Sequence, residues 1–377
     1  MDKIIVTSTW GAGYADGGGM QWLNLHYLAG LRALGFEVFW LDILGPPGKE
    51  ATRTTASMVD AFQAQCEQFG LGENWAVLYD DNRQIFGLKE RQVKSLCGDC
   101  ALLINLCGAL KNDDLLRRAK RRAYFDLDPG FTQIWAHEWD MGLSQHNLFF
   151  TVGLNVGQPD FPIPLRGIQW QTFTPPVALE YWPAQTDLTA PTFTTVGQWR
   201  GQYAVWNNEM YGPKSDEFLK VVELPGKTSQ PIELALLISE LEVDDLPALR
   251  KNGWQLVNPH EVAGGRDGFR SYIQKSRAEF SVAKHGYVKT RSGWLSDRTV
   301  CYLASGRPAL VQETGMTQYL TTGQGLVTFS TIDEALRGIE SINADYPAHC
   351  AAARKLAEDK FSAPKVLQSI LERAGVL

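Results

Sequence analysis

Residues 284–315, KHGYVKTRSGWLSDRTVCYLASGRPALVQETG, are the most informative part of this chain. It predicts, in order, a polar loop, a helix, a tight turn and a buried strand. Ser296 is a favoured helix N-cap residue, and apolar residues follow it at helical spacing. Gly306 ends the helix, and residues 309–311 form a short apolar strand. In an open α/β sheet, ligands bind at the carboxyl ends of strands, so this segment predicts a ligand site.

The start of this helix is predicted to bind phosphate. The first N–H groups of a helix have no partner within it and carry a partial positive charge, so they stabilise a pyrophosphate. Several polar and basic residues are expected to contribute to the phosphate site: Lys284, Arg291, Ser292, Gly293, Ser296, Asp297 and Arg298.

The segment resembles the donor-binding segment of GT-B glycosyltransferases, in which a loop, helix, Gly-Xaa-Pro turn and apolar strand hold a nucleotide-sugar. Residues 292–296, SGWLS, are similar to Cys-Gly-Trp-Asn-Ser in inverting UDP-sugar transferases. Residues 304–308, ASGRP, are similar to Ala-Cys-Gly-Xaa-Pro in the retaining group. The resemblance implies phosphate contacts around Ser296 and sugar contacts at Glu313 and Thr314. Because the two similarities belong to groups of opposite stereochemistry, retention and inversion both stay open.

Strands and helices alternate along both halves of the chain, which predicts an α/β protein with parallel sheets. At 377 residues the chain can bury two cores. With the resemblance, this predicts two Rossmann-like doubly wound domains facing a cleft, the GT-B arrangement. A proline-bearing stretch at 158–192 is the predicted linker. We expect an acceptor-side domain at 1–180, a nucleotide-sugar domain at 181–350, and a C-terminal helix at 351–377 that packs back across the domains.

A glycine-rich loop precedes the first predicted helix. Residues 11–19, GAGYADGGG, together with Asp42 after the second strand, partly match a dinucleotide-binding fingerprint. The spacing differs, because Asp16 stands where the fingerprint has its sixth-position glycine. NAD binding is therefore an alternative, as is a surface loop without a ligand. We instead expect three glycines of this loop to form a wall of the cleft: Gly17, Gly18 and Gly19.

Three residues of the first half are candidates for the general base. Asp128 follows a predicted strand at 122–127, so its carboxylate is expected to face the cleft. It could equally cap the turn that it begins with Pro129 and Gly130. His137 and His146 lie downstream and are the other candidates.

Two residues of the second half are further phosphate candidates. Gly197 and Arg200 lie at the end of a strand predicted at 193–199. In the fold family that the chain resembles, a Gly and a basic residue of the corresponding loop approach the donor phosphates. The resemblance therefore implies that Gly197 and Arg200 contact the phosphates.

Composition and charge argue against several other classes of protein. A net charge of −6 and one short basic tract, at 111–122, are not typical of a nucleic-acid-binding protein. The N-terminus enters a strand without an apolar leader, and no apolar run reaches the roughly 20 residues that span a bilayer. The six cysteines include one Cys-Xaa-Xaa-Cys pair, at 97 and 100, and are interpreted as reduced thiols of a cytoplasmic protein.

The sequence thus predicts a glycosyltransferase of hexosyltransferase type, which moves a sugar from a nucleotide-diphosphate sugar, UDP-linked by preference, to an unknown acceptor. No cofactor or metal is expected, since cations and a helix terminus can stabilise the leaving diphosphate. The alternatives are a nucleotide-sugar epimerase or hydrolase of the same fold, a non-catalytic nucleotide-binding protein, and an NAD-binding Rossmann enzyme. The sequence leaves open whether the chain forms a homodimer.

Overall fold

The computed structural model describes residues 1–14, 17–46, 53–80, 83–239 and 241–377. Asp16 lies outside these residues, and so does part of the segment 45–49, GPPGK, which the sequence predicts to be a loop. The described strands form an eight-stranded sheet, a six-stranded sheet and a two-stranded hairpin.

The first half of the chain builds the larger sheet. Its strands are β1 (Lys3–Ser8), β2 (Glu37–Leu44), β3 (Trp75–Tyr79), β4 (Gln84–Gly87), β5 (Leu102–Leu106), β6 (Arg122–Asp126), β7 (Leu148–Thr151) and β8 (Gln171–Thr172). Across the sheet they lie in the order β4-β3-β2-β1-β5-β6-β7-β8, and every neighbouring pair is parallel except β3 with β4. The helices of this half are α1 (Gly18–Ala33), α2 (Thr55–Gln68), α3 (Glu90–Asp99), α4 (Asp113–Arg118) and α5 (Phe131–Glu138). The apolar run at 4–6 is completely buried because β1 lies inside the sheet with helices on its faces.

The second half builds the smaller sheet. Its strands are β9 (Phe193–Gln198), β12 (Ile232–Leu237), β13 (Gln255–Leu256), β14 (Ala278–Ser281), β15 (Ala309–Gln312) and β16 (Leu326–Phe329), and β10 (Ala204–Trp206) pairs with β11 (Glu209–Tyr211) in the hairpin. The sheet order is β13-β12-β9-β14-β15-β16, parallel throughout. Its helices are α6 (Ser215–Phe218), α7 (Asp245–Lys251), α8 (Pro259–Ala263), α9 (Gly265–Lys275), α10 (His285–Thr290), α11 (Asp297–Ala304) and α12 (Ile332–Ala344).

The C-terminal helices lead back to the first half. They are α13 (Tyr346–Leu356) and α14 (Ala363–Arg373). Helix α14 lies so close to α1 that a Cβ atom on Gly30 would be 2.6 Å from the side chain of Leu367. The backbone of Val177 also pairs with Phe361 and Ala363 on either side of the bend before α14.

Two predicted elements differ from the structure. The polar loop predicted from Lys284 is largely helical, since α10 occupies 285–290, and the loop is confined to 291–296. Tyr287 is buried on the inner face of α10, which explains why a segment of polar appearance forms a helix. The sequence also predicts one helix at 214–224, but in the structure it is broken after Phe218 into 3₁₀ turns, and the proline that follows, Pro225, cannot continue an α-helix.

Candidate functional site

A cleft of about 680 Å³ lies between the two sheets, within the size range of ligand pockets. Both halves contribute residues from the carboxyl ends of their strands. Asp128 follows β6, Gly197 lies near the end of β9, and Lys284 follows β14. The parallel strands of each sheet therefore deliver their following loops to one space, as expected for an α/β ligand site.

The start of α11 lines this cleft. Ser296 is its N-cap, and the Ser296 hydroxyl accepts a hydrogen bond from the backbone N–H of Arg298 at 3.2 Å. Leu295, Ser296, Asp297 and Arg298 all face the cleft. The unpaired N–H groups of the first turn and the helix dipole favour an anion here. The predicted positions of Ser296 and Asp297 at a helix N-terminus facing a cleft agree with the structure.

The Arg298 guanidinium lies beneath this surface and is held by three partners. It donates to Glu279 Oε1 at 2.7 Å, to Ser281 Oγ at 2.7 Å and to the carbonyl of Val196 at 3.1 Å. Burial alone would lower the pKa of Arg298, but the charge of Glu279 and its hydrogen bond raise it above the ordinary value. Arg298 is thus a permanently charged anchor of the site, with much of its donor capacity already used.

Lys214 is a cleft residue that the sequence did not predict. Its side chain is only 8% exposed, and it makes no hydrogen bond or ion pair with any described residue. Burial, and then the positive charge of Arg298, lower the pKa of Lys214 well below its ordinary value. A Cβ atom on Gly197 would lie 3.6 Å from Lys214 Nζ and 3.5 Å from Arg298 Nη1. Two basic groups therefore flank Gly197, and one of them, Lys214, makes no direct ion pair with a described residue.

Arg200 lies at the same end of β9 but is engaged elsewhere. Its guanidinium forms ion pairs with Glu242 at 2.6 Å and Asp245 at 2.7 Å. The hydrogen bond that Arg200 donates to Glu242 is the main reason why the pKa of Arg200 is raised. Arg200 lines the cleft, yet its charge is already balanced, so Lys214 is the better candidate for a phosphate ligand in this loop region.

A polar cluster joins the two halves across the cleft. Lys284 Nζ donates to Asp128 Oδ1 at 2.6 Å, and the hydroxyl of Tyr287 donates to the same oxygen. Burial alone would raise the pKa of Asp128, but the charge of Lys284 and the two hydrogen bonds hold it below the ordinary value. In this arrangement Asp128 is a weak base, because its reactive oxygen is already occupied.

The glycine loop is fixed from beneath by Asp42. The Asp42 carboxylate accepts hydrogen bonds from the Ser8 hydroxyl and from the backbone N–H groups of Gly11 and Ala12, at 2.8–2.9 Å. Asp42 is completely buried, and burial raises its pKa to about 7 despite these hydrogen bonds. The carboxylate is thus occupied by its own loop, an arrangement unlike that of an acidic residue free to bind a ribose. As expected, three glycines of the loop line the cleft: Gly17, Gly18 and Gly19.

Several predicted phosphate or sugar ligands do not line the cleft. The carbonyls of Ser292 and Gly293 accept the N–H groups of Asn155 and Leu154, so this part of the loop joins the two halves. Arg291 is exposed in a left-handed backbone conformation, with φ of 49°.

The two predicted sugar ligands follow β15 and also stand away from the cleft. Thr314 is buried, and its hydroxyl donates to the carbonyl of Trp294 at 2.6 Å. One carboxylate oxygen of Glu313 accepts the N–H of Gly315, and the other is buried without a partner among the described residues. These two residues shape the wall that carries Trp294 rather than the cleft surface.

The two histidine candidates are also placed outside the cleft. His137 borders a second cavity of about 610 Å³, and its Nε2 contacts the carbonyl of Pro164 at 3.0 Å. His146 Nδ1 donates to the carbonyl of Gly142, which leaves Nε2 to accept from Asn105. Burial lowers the pKa of His146 to about 4, so it is a neutral structural group. Neither position suits a base acting on a ligand in the main cleft.

The described part of the chain lacks two features. No group of three or more His, Cys, Asp or Glu side chains there is arranged to hold a metal ion. No helix there is both long and apolar enough to cross a membrane.

Comparison with solved structures establishes the fold. The chain is similar to Anabaena HepE (Alr3699) in complex with UDP-glucose, with a TM-score of 0.60, 12% identity and full coverage of both chains. It is similar to TarM, with a TM-score of 0.60, 9% identity and 99% coverage of both chains. An E. coli structure, described as trehalose-6-phosphate bound with UDP-2-fluoro glucose, has a TM-score of 0.55 and 11% identity, with 100% of this chain and 99% of that chain covered.

No protein-family model matches the chain, and no curated protein matches it in sequence. At identities of 9–12% the structural likeness concerns the fold. It confirms the predicted α/β class and the GT-B arrangement of two Rossmann-like units.

Proposed function

We propose that this protein is a glycosyltransferase that transfers a sugar from a nucleotide-diphosphate sugar to an acceptor hydroxyl. The observation that carries the proposal is the convergence, in one cleft, of the α11 N-terminus with Lys214, Lys284 and Arg298. Three positive side chains and a helix start at one place suit a diphosphate. The HepE and E. coli structures of the same fold hold UDP-glucose and UDP-2-fluoro glucose, and this supports a UDP-sugar as the donor.

We place the diphosphate between the start of α11 and the end of β9. Gly197 lies there beside both basic groups, since a Cβ atom at this position would be 3.5 Å from Arg298 Nη1 and 3.6 Å from Lys214 Nζ. The backbone N–H groups after Ser296 would receive one phosphate. A phosphate would also supply the counter-charge that Lys214 lacks, and would thereby restore its protonated form. Binding and charge neutralisation are then the same event.

Bond cleavage at the sugar leaves negative charge on the diphosphate, which these groups would stabilise. Such stabilisation is strongest where the donors are already in place and water is excluded. Arg298 meets the first condition, since its guanidinium is fixed by Glu279, Ser281 and Val196.

Asp128 is the proposed base if the reaction proceeds with inversion. In the structure Lys284 and Tyr287 occupy its carboxylate oxygen. We expect a donor phosphate to attract the Lys284 ammonium, which would free Asp128 and raise its basicity. His137 is not retained as an alternative base, because it borders the second cavity.

The proposal is tested by ligand binding followed by product analysis. UDP, UDP-glucose and UDP-N-acetylglucosamine should each be added to the purified chain during thermal unfolding, since a ligand of the native state raises the melting temperature. We expect UDP and at least one UDP-sugar to do so, and Lys284→Met to reduce the effect. Lys355→Met, at an exposed position on α13, is the matched control. If no nucleotide raises the melting temperature, the donor-site assignment is wrong.

Turnover separates the transferase from the alternatives. A transferase releases UDP faster when an acceptor is present, whereas an epimerase or hydrolase of this fold needs none. A non-catalytic binding protein would show the thermal shift but no release of UDP. The occupied Asp42 carboxylate already disfavours the NAD alternative.

The remaining features of the proposal stay predictions. We expect a hexosyl donor, a reaction that proceeds without an added metal or cofactor, and a cytoplasmic location. The acceptor, the stereochemical outcome and a homodimeric state are to be determined with the active enzyme.

A further inference from the structure

The two walls of the cleft differ in charge. Four Lys and Arg side chains line it, and all of them belong to the second half: Arg200, Lys214, Lys284 and Arg298. Among the described residues that the first half contributes, none is Lys or Arg, and Asp128 is the one carboxylate. Cations are therefore concentrated on the proposed donor side.

Apolar and aromatic side chains dominate the first-half wall. Trp10 is half-buried against the core, and Tyr14 is 44% exposed with its ring against Gly17. Met20 and Leu127 lie on the same wall and are partly exposed to the cleft. Aromatic rings offer large apolar faces with little flexibility, so this wall suits a flat apolar ligand surface.

The polar groups of this wall are uncharged or already paired. His26 Nδ1 accepts the N–H of Ala178 at 3.1 Å, and burial lowers the pKa of His26 to about 3. Burial raises the pKa of Tyr27 well above its ordinary value, so its hydroxyl stays neutral. Asp128 is paired with Lys284 at 2.6 Å. The described residues of this wall therefore offer hydrogen-bonding groups but no free positive charge.

We infer that the acceptor is a neutral molecule that presents a flat apolar ring face beside its reacting hydroxyl. This inference rests on the proposed function and assigns the acceptor class of the same cleft. An anionic acceptor would lose its hydration against Trp10, Tyr14 and Met20 without gaining a cation, and its charge would face Asp128. A phenolic or alicyclic alcohol has the required chemistry, and so does the neutral end of a glycan, whose C–H face packs on aromatic rings.

Matched pairs of neutral and anionic probes test the inference. With the full-length protein saturated with UDP, dissociation constants are measured by ligand-observed NMR for 4-hydroxybenzyl alcohol against 4-hydroxybenzoate. A second pair, methyl β-glucopyranoside against its 6-phosphate, tests the glycan source. We expect the neutral member of at least one pair to bind at least about tenfold more tightly than its anionic partner. The pair that shows this preference identifies the source.

Variants locate the binding. Trp10→Ala should weaken the neutral probe by about tenfold. Its matched control is Trp139→Ala, which removes an exposed indole at the second cavity. Both variants should bind UDP with the same affinity as the parent protein. Their affinity for UDP therefore shows whether the donor site is intact.

The results separate this inference from the proposed function. If UDP binds but the anionic probes bind as well as the neutral ones, or if no neutral probe binds, the acceptor class is wrong. Loss of the neutral probe in Trp139→Ala but not in Trp10→Ala would also overturn it, because binding would then lie at the second cavity. If UDP itself does not bind, the proposed function fails first.

Discussion

Because Lys214 is buried without an ion-pair partner, replacing it should have opposite effects on the stability of the free protein and on its affinity for UDP. In the empty protein Lys214 is a buried amine beside Arg298, where its charged form is disfavoured, so replacing it by a neutral apolar side chain of similar length should stabilise the fold. With UDP bound, the same replacement removes a positive charge next to phosphate. Lys214→Met should therefore raise the melting temperature of the free protein and lower its affinity for UDP.

The expected changes in UDP affinity and in stability for Lys214→Met follow from the distance between charges and from the burial of the side chain. At about 4 Å and an effective dielectric constant of about 20, two unit charges attract by about 4 kcal/mol. Loss of this attraction corresponds to as much as a thousandfold in dissociation constant, roughly. The gain in stability of the free protein is expected to be about 1 kcal/mol or more.

The pKa of Lys214 adds a dependence on pH. Since its folded-state pKa lies below its unfolded value, the unfolded chain binds the extra proton, and stability rises with pH between the two values. UDP binding raises the pKa again, so complex formation takes up a proton and the affinity falls as pH rises. Calorimetry at pH 8, where the phosphates are ionised, should give a binding enthalpy that varies with the ionisation enthalpy of the buffer.

The control for this experiment is Lys355→Met, since Lys355 is exposed on α13 and pairs with Asp359. It should change neither the affinity for UDP nor the proton uptake. The assignment of Lys214 as a buried, unpaired amine that binds phosphate would be refuted by either of two results. One is an unchanged affinity of Lys214→Met for UDP, and the other is a lower melting temperature of its ligand-free form.

Three further substitutions test other parts of the structure. Arg298→Leu leaves the completely buried Glu279 without its partner, so urea denaturation should show a loss of about 3–5 kcal/mol in unfolding free energy; a neutral effect would contradict the anchoring role. Because the pKa of Asp42 is raised to about 7 in the fold, its contribution to stability is present below about pH 4 and is lost as pH rises through 7. Asp42→Asn should remove that decline between pH 5 and 8, and a decline unchanged in the variant would exclude Asp42 as its source. In Gly18→Ala the new Cβ would lie 2.2 Å from the carbonyl oxygen of Gly265, so we expect a loss of about 1–3 kcal/mol by thermal unfolding, whereas helix propensity alone predicts a gain.

The helix start at Ser296 could be predicted from the sequence because its causes are local. The N-cap hydroxyl, the apolar spacing after it and the glycine at 306 all act within a few residues. Asp128 and Lys284 were also placed at the cleft correctly, because each follows a strand whose direction the alternating pattern predicts.

Other residues depend on contacts between distant parts of the chain. Lys214 reaches Gly197 because the hairpin of β10 and β11 folds back before Pro213, and no local pattern indicates that approach. Strand β2 continues to Leu44, so Asp42 lies within the strand and not after it. Its carboxylate contacts the backbone of the glycine-rich loop and does not reach the cleft.

The position of His137 also could not be predicted from the sequence, because it depends on the direction in which a helix runs. α5 begins beside the cleft, where Phe131 packs against Tyr287. The helix then carries His137 away from it, to a place where the imidazole lies against Trp206. Proximity to Asp128 in sequence was therefore a poor guide to its position.

The hydrogen bond between Lys284 and Asp128 has a kinetic consequence if the proposed chemistry holds. The Lys284 ammonium pairs with Asp128, the carboxylate that would activate the acceptor, and it would also bind the leaving phosphate. It cannot bind both groups fully at the same time. The acceptor then meets a competent base after the donor has arrived. Steady-state kinetics should accordingly show a compulsory order of addition, donor before acceptor.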